Sequence, residues 1–178
     1  MEVADNELHR IAPTAIIYRH PVTADPGGAG STPEYLILKR SPHKKVYPDR
    51  WTVPGGGIEV SDYVDSPKTT EDGWYYQVEK SLRREISEET GLRVGPLTYL
   101  LNMTFIRPDG IPVLVLSYYG PYQSGEVQLD DDSVEYAWVS AKAAAGYDLL
   151  PGIVEELEMI DLLLAGTDPA SVTFPEKA

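Results

Sequence analysis

The chain has 178 residues, 42% apolar and 24% charged, enough for one globular domain with a buried core. A net charge of −13 argues against an extended polyanion such as DNA or RNA, because phosphate recognition rests on Lys and Arg. It leaves room for a small phosphate ester carried with its own divalent cation. The absence of cysteine excludes disulfides, thiolate catalysis and cysteine-based zinc sites. Met1 to His9 lacks an apolar signal-peptide core and no run of 18 apolar residues occurs, so neither a signal peptide nor a membrane span is predicted and a cytoplasmic protein is expected.

Residues 1–10 read as a polar, flexible leader. Ile11 to His20, with Ala15-Ile16-Ile17-Tyr18, predicts a buried strand. Pro21 to Pro33, with Pro26, Gly27, Gly28, Gly30 and Pro33, predicts a flexible hairpin connection to a returning strand, Tyr35 to Arg40. The basic cluster Arg40, His43, Lys44, Lys45 and Arg50 stands out in so acidic a chain; it reads equally as a phosphate or sugar contact and as a solvated loop. Trp51-Thr52-Val53 is a short apolar strand entering the turn Pro54-Gly55-Gly56-Gly57. Trp74 to Thr90 predicts a helix whose core face is Val78, Leu82 and Ile86, with Thr70 or Asp72 as N-cap. Leu97 to Ile106 and Pro112 to Tyr119 are predicted strands joined by the turn Arg107-Pro108-Asp109-Gly110, and the unbroken Val113-Leu114-Val115-Leu116 predicts cover on both faces. Gly125 to Asp132 reads as an acidic loop, Val134 to Val139 as a strand, Ser140 as the cap of a short helix to Ala145, and Pro151 to Leu164 as a closing amphipathic helix. The expected organisation is one domain over 11–165 and a C-terminal tail over 166–178.

The stretch Arg84-Glu-Ile-Ser-Glu-Glu-Thr-Gly-Leu92 goes against what folding alone would select. Glu85, Glu88 and Glu89 stand at i, i+3 and i+4, on one helical face, where like charges cost roughly 0.2–0.5 kcal/mol per pair. They also crowd the last turn before Gly91, the negative end of the helix dipole. Clustered oxygen ligands of this kind suit a hard divalent cation, Mg²⁺ or Mn²⁺, which would turn repulsion into attraction; the alternative is an acidic solvated face.

This stretch, together with Trp51-Thr-Val-Pro-Gly-Gly-Gly-Ile-Glu59, resembles the Nudix hydrolase family. The family's box reads G, five residues, E, seven residues, then R-E-(apolar)-x-E-E-x-G-(apolar). Its second half is matched at every specified position by Arg84 to Leu92, and its first half by Gly56 with Asp62 in place of Glu. Between the halves, 21 residues (Tyr63 to Arg83) stand where the family has seven, an insertion of 14 centred on Tyr63 to Gly73. Asp62 is one methylene short, which leaves Glu59, Glu71 and Glu79 as alternatives for the support the family's glutamate gives the helix. The resemblance spans roughly Ile11 to Ala165. It implies a Nudix-type α/β/α sandwich with a mixed central sheet, and Mg²⁺- or Mn²⁺-dependent attack of water on a diphosphate linked to another moiety.

By that resemblance Glu85 and Glu89 are direct metal ligands, Glu88 a ligand directly or through water, and the Gly55-Gly56 turn a source of a backbone carbonyl for the metal. Arg84 would orient a helix glutamate or contact phosphate; its plainer reading is an i,i+4 pair with Glu88. The general base is a box glutamate or an acid of a later loop, here Glu126, Asp130, Asp131, Asp132 or Glu135; Asp130-Asp131-Asp132 lacks the glycine and alternating ligands of an EF-hand. Substrate-contact candidates are Arg40, Arg50, Trp74, Asp132 and Glu135. Trp74, Tyr75 and Tyr76 read either as a stacking surface for a base or as core at the helix start. The expected partner is a small nucleoside diphosphate derivative (a nucleoside triphosphate, ADP-ribose or a dinucleoside polyphosphate), and a homodimer is among the expected states. The competing reading is a catalytically silent nucleotide sensor on the same fold, against which the retained repulsive glutamates argue.

Overall fold

In the computed structural model the described residues are 8–21 and 32–176. The leader and the Pro21–Pro33 connection therefore lie largely outside the described residues. The β-branched and aromatic runs form seven strands: β1 (Arg10–Arg19), β2 (Glu34–Arg40), β3 (Trp51–Thr52), β4 (Arg93–Val94), β5 (Thr98–Ile106), β6 (Pro112–Ser124) and β7 (Ser133–Val139). Three helices accompany them: α1 (Gln77–Thr90), α2 (Ala141–Ala144) and α3 (Ile153–Leu164).

The sheet is mixed. β1 runs parallel to β6 over its whole length, from Arg10↔Val113 to Tyr18↔Pro121, while its other partners are antiparallel. Leu38 of β2 pairs with both Thr52 of β3 and Tyr136 of β7, so those strands flank β2 on opposite sides. After β3 the chain crosses to β1, where Thr14 bridges Gly55 and the Ala15 amide donates to the Pro54 carbonyl at 2.8 Å. β4 and β5 both pair with β6.

Strand alternation divides the core into two layers. Ala15, Ile17, Leu36 and Leu38 pack under Leu82 and Ile86 of α1, whereas Ile16, Tyr35 and Ile37 pack under Ile153, Leu157 and Ile160 of α3. Each such fully buried aliphatic side chain contributes about 1.5–3 kcal/mol. The Tyr35 hydroxyl donates to Asp161 on α3, tying the sheet to the closing helix. This is the α/β/α sandwich expected from the sequence.

Four details differ. The helix starts at Gln77 rather than Trp74, because Trp74 is drawn into the preceding loop and Tyr76 takes a left-handed conformation (φ +63°) at the boundary. Neither Thr70 nor Asp72 caps it, and no side chain does. β4, two residues long, is too short to give an alternating signal. Of the apolar run on β6 only Val113 is buried; Leu114, Val115 and Leu116 are half-buried. Gly91 (φ +68°) ends α1 as read, and Ser140 Oγ accepts the Ala143 amide to cap α2.

Candidate active site

The site forms where the turn after β3 meets the last two turns of α1. A methyl group at Gly55 would overlap the Pro13 carbonyl and Thr14 Cα, so only glycine lets the turn lie this close to β1. The Gly55 amide donates to Glu89 Oε2 at 2.9 Å. A side chain at Gly56 would overlap the Glu85 carboxylate, so the second glycine is the cradle for that acid. Turn and helix are thereby joined through two carboxylates.

Arg84 is held by three acids. Its Nε donates to Asp62 Oδ1 at 2.7 Å, Nη2 to Glu85 Oε1 at 2.9 Å and Nη1 to Glu88 Oε2 at 2.7 Å. The i,i+4 pair with Glu88 and the orienting role toward Glu85 thus coexist. Asp62 also accepts from Ser81 Oγ and the Glu59 amide, each at 2.8 Å, and its side chain is only 5% exposed. The support assigned to Glu59, Glu71 or Glu79 is therefore supplied by Asp62 itself. The short 3-10 turn Val60–Asp62 carries the carboxylate to the helix and makes up for the missing methylene. Glu59 contributes its backbone amide, and Glu79 pairs with Arg83 instead. Ser81, the second anchor of Asp62, lies three residues before Arg84 on the same helix; that spacing is the signal by which it could have been found.

The electrostatics follow from this geometry. Burial pushes the Asp62 carboxyl up, but hydrogen bonds from Arg84, the Glu59 amide and Ser81 outweigh it and hold the group below its usual range. Burial raises Glu85, with Arg84 opposing. Glu89 is pushed up to about 8, by burial first and then by Glu85, Asp130 and Asp132, against the single opposing hydrogen bond from Gly55. The loop 125–132 docks on the end of α1, with the Gln128 amide donating to the Thr90 carbonyl at 2.9 Å, and so brings Asp130 and Asp132 toward Glu89.

The substrate-contact candidates divide. Arg40 lies near Glu89, Asp132 and Arg107; burial lowers its pKa, and the two acids oppose that. Its guanidinium donates to the Val46 and Tyr47 carbonyls at 3.0–3.2 Å, clamping the loop 41–50, in which Tyr47 and Asp49 are left-handed. Asp132 is paired with Lys44 at 2.6 Å. The other three are engaged elsewhere: Arg50 with Asp148 and the Leu149 carbonyl, Glu135 with Lys39 across β2 and β7, and Trp74 within its own loop. Trp74 Nε1 donates to the Ser66 carbonyl at 2.9 Å, and its ring lies 5.2 Å from Tyr63 with Lys68 Nζ over its face. Tyr75 and Tyr76 are exposed rather than core.

Among the described residues no three carboxylates or imidazoles converge as a ready-made cage for a cation. The donor set nonetheless fits one. A partly buried Glu89 without a cationic side-chain hydrogen-bond partner, Glu85 cradled over Gly56, and Glu88 one turn from Glu85 offer only oxygen ligands, the preference of a hard divalent ion.

Fold and box together define a class. A model of the family described as "NUDIX domain" matches residues 25–162, and the chain belongs to the Nudix family of pyrophosphohydrolases. Among curated relatives, the nucleoside triphosphatase NudI of Escherichia coli (strain K12) is 27% identical over 139 residues, spanning 72% of this chain and 89% of the relative. Among solved structures, a MutT protein from Methanosarcina mazei Go1 superposes with a TM-score of 0.61 at 22% identity, covering 88% of this chain and 95% of that one. A C. elegans Ap4A hydrolase superposes with a TM-score of 0.63 at 19% identity, covering 88% and 98%. These two likenesses are of fold.

Proposed function

We propose that this protein is a cytoplasmic, Mg²⁺-dependent hydrolase of a small nucleoside diphosphate derivative, with nucleoside triphosphates as the first substrate class. The observation that carries the reading is the partly buried Glu89 carboxylate held by the Gly55 amide, flanked by Glu85 and Glu88 on a Nudix fold. The likeness to NudI supports the triphosphate choice; dinucleoside polyphosphates and ADP-ribose are the neighbouring classes. Among the described residues no helix is long and apolar enough to cross a membrane, which is compatible with the location proposed.

Glu85, Glu88 and Glu89 would hold the cation. When bound, it supplies charge neutralisation of the diphosphate oxygens and a lowered pKa for the attacking water. Arg84, fixed by Asp62, orients Glu85 and Glu88 and offsets their negative charge. The proton of the attacking water would go to a box glutamate or to an acid of the docked loop, of which Asp130 and the Lys44-paired Asp132 bear on Glu89. Arg40, which bears on Glu89 and Asp132, lends positive charge to the same end of the site.

The test is phosphate-product release in Mg²⁺ over nucleoside triphosphates, ADP-ribose, nucleotide sugars and dinucleoside polyphosphates, with Glu89→Gln as control. Turnover of one class by the native chain alone is the expected result. Intact compounds, with one of them raising the melting temperature in Mg²⁺, would replace hydrolysis by nucleotide sensing.

A further inference from the structure

After β3 the chain runs antiparallel beside the first half of β1. Pro54 accepts from the Ala15 amide, Gly55 bridges Thr14, and the Ile58 amide donates to the Ile11 carbonyl at 3.0 Å. Successive residues of an extended segment point to opposite sides. A methyl group at Gly56 would overlap the Glu85 carboxylate, whereas one at Gly57 would overlap the guanidinium of Arg10, meeting Nη2, Cζ and Nε together. By alternation along β1, Arg10 shares a face with Ile16, on the side of the sheet away from α1. The turn therefore carries an acid of α1 on one side and, one residue on, a cation of β1 on the other.

That cation is uncommitted. Arg19, Arg50, Arg83, Arg84 and Arg107 each pair with an acid, and Arg40 is engaged by the Val46 and Tyr47 carbonyls. Among the described residues Arg10 has neither an ion pair nor a side-chain hydrogen bond, in a chain with 28 acids against 15 Lys and Arg. It is exposed, while Gly57 beneath it is buried. Its fork of N–H donors is thus placed by contact with backbone and stays open to a ligand.

We propose that Arg10 is a substrate-binding residue, which takes the phosphate chain of the nucleotide on the side of the turn away from the helix glutamates. The assignment rests on the hydrolase reading above. A triphosphate carries more negative charge than one divalent cation neutralises, and Arg84 is already held by Asp62, Glu85 and Glu88. The remaining charge calls for a cation with no acid of its own, and a guanidinium matches phosphoryl oxygens two at a time.

Inorganic tripolyphosphate in Mg²⁺, titrated calorimetrically, is the probe, because it has neither base nor sugar. Arg10→Ala, with unchanged circular dichroism, should bind it about tenfold more weakly than the native chain, and Arg10→Lys should fall between them. Gly57→Ala, which displaces the guanidinium but keeps its charge, should weaken binding as well. Lys142→Ala, at an exposed position on α2 where that helix packs on α3 and β7, removes the same charge away from the turn and should bind as the native chain does. For the compound turned over in the substrate panel, Arg10→Ala should raise KM about tenfold with kcat within about threefold. Equal binding by the native chain and Arg10→Ala overturns the proposal even if the variant melts lower, since Arg10 would then only cover Gly57; turnover of the panel would leave the hydrolase reading standing. A native chain that hydrolyses the panel but has no affinity for tripolyphosphate overturns it too. If the panel stays intact while Arg10→Ala still weakens tripolyphosphate, the contact stands and the hydrolase reading falls.

Discussion

Glu156 is buried, 5% exposed, on the first turn of α3, and its carboxyl hydrogen-bonds to Ser117, itself within 3.3 Å of the Thr14 hydroxyl. Burial pushes it up to about 7, with Ser117 opposing, against an ordinary value near 4.5. A carboxyl raised in the folded state stabilises fully below the unfolded value, and that contribution is lost as the pH climbs through the folded one. The loss amounts to about 3 kcal/mol between pH 5 and 8. Glu156→Gln keeps the hydrogen bond to Ser117 without the ionisation, so its unfolding free energy in urea should fall less steeply over that interval, leaving the variant the more stable protein at pH 8. Equal slopes for both proteins would show that the site admits water. Single residues were unevenly legible. Glu85, Glu88 and Glu89 announced themselves because their spacing is unfavourable without a ligand, whereas the anchoring of Arg84 by Asp62 is a contact between residues 22 apart that no local pattern encodes.

At the scale of elements, the segment between Asp62 and Gln77 behaves as a small unit with its own centre. Trp74 packs against Tyr63 and Lys68 and is tied to Ser66, so the loop is closed upon itself rather than upon the helix. This is why α1 starts three residues later than the sequence pattern predicts: Trp74-Tyr75-Tyr76 continues the apolar tone of α1 but belongs to the loop, and the left-handed Tyr76 breaks the helical path between them. The strands were legible because their alternation is local; the half-exposed run on β6 was not, since cover depends on how far each helix reaches across the sheet. Deleting Asp65 to Glu71 removes Ser66 and Lys68, two of the three partners of Trp74, and leaves Tyr63, Asp62 and Ser81 in place. Under the proposed function such a protein should keep its Mg²⁺ requirement, with the half-saturating concentration within about threefold of the parent's (tertiary packing sets the site, and well-separated sites couple weakly), while its relative kcat/KM values across the substrate panel shift. Loss of metal binding would show the loop to be part of the metal site.

For the whole molecule, the proposed function would link folding to cation binding through the negative charge concentrated around one end of α1. Without metal, a partly buried Glu89 pushed up to about 8 contributes stability that is lost as the pH rises from its ordinary value near 4.5 through 8. At pH 8.5 and without metal, Glu89→Gln should therefore melt at or above the native temperature. With Mg²⁺ at a hundred times its Kd the order should reverse, because the native chain gains about 2.7 kcal/mol by mass action and the variant does not. Calorimetry at both conditions checks the crossing; parallel shifts in the two proteins would place the cation elsewhere.

The self-closed loop between Asp62 and Gln77 has one more consequence. Since its two ends are pinned by Arg84, Ser81 and the helix, and its middle by Trp74, lengthening it further would cost only about 0.6 kcal/mol per doubling. The reacting groups need a fixed arrangement in space and tolerate wide variation in how much chain runs between them. Under the proposed function, a motif whose halves are joined in this way would accept new recognition surface between them while Asp62, Arg84 and the helix glutamates keep their places.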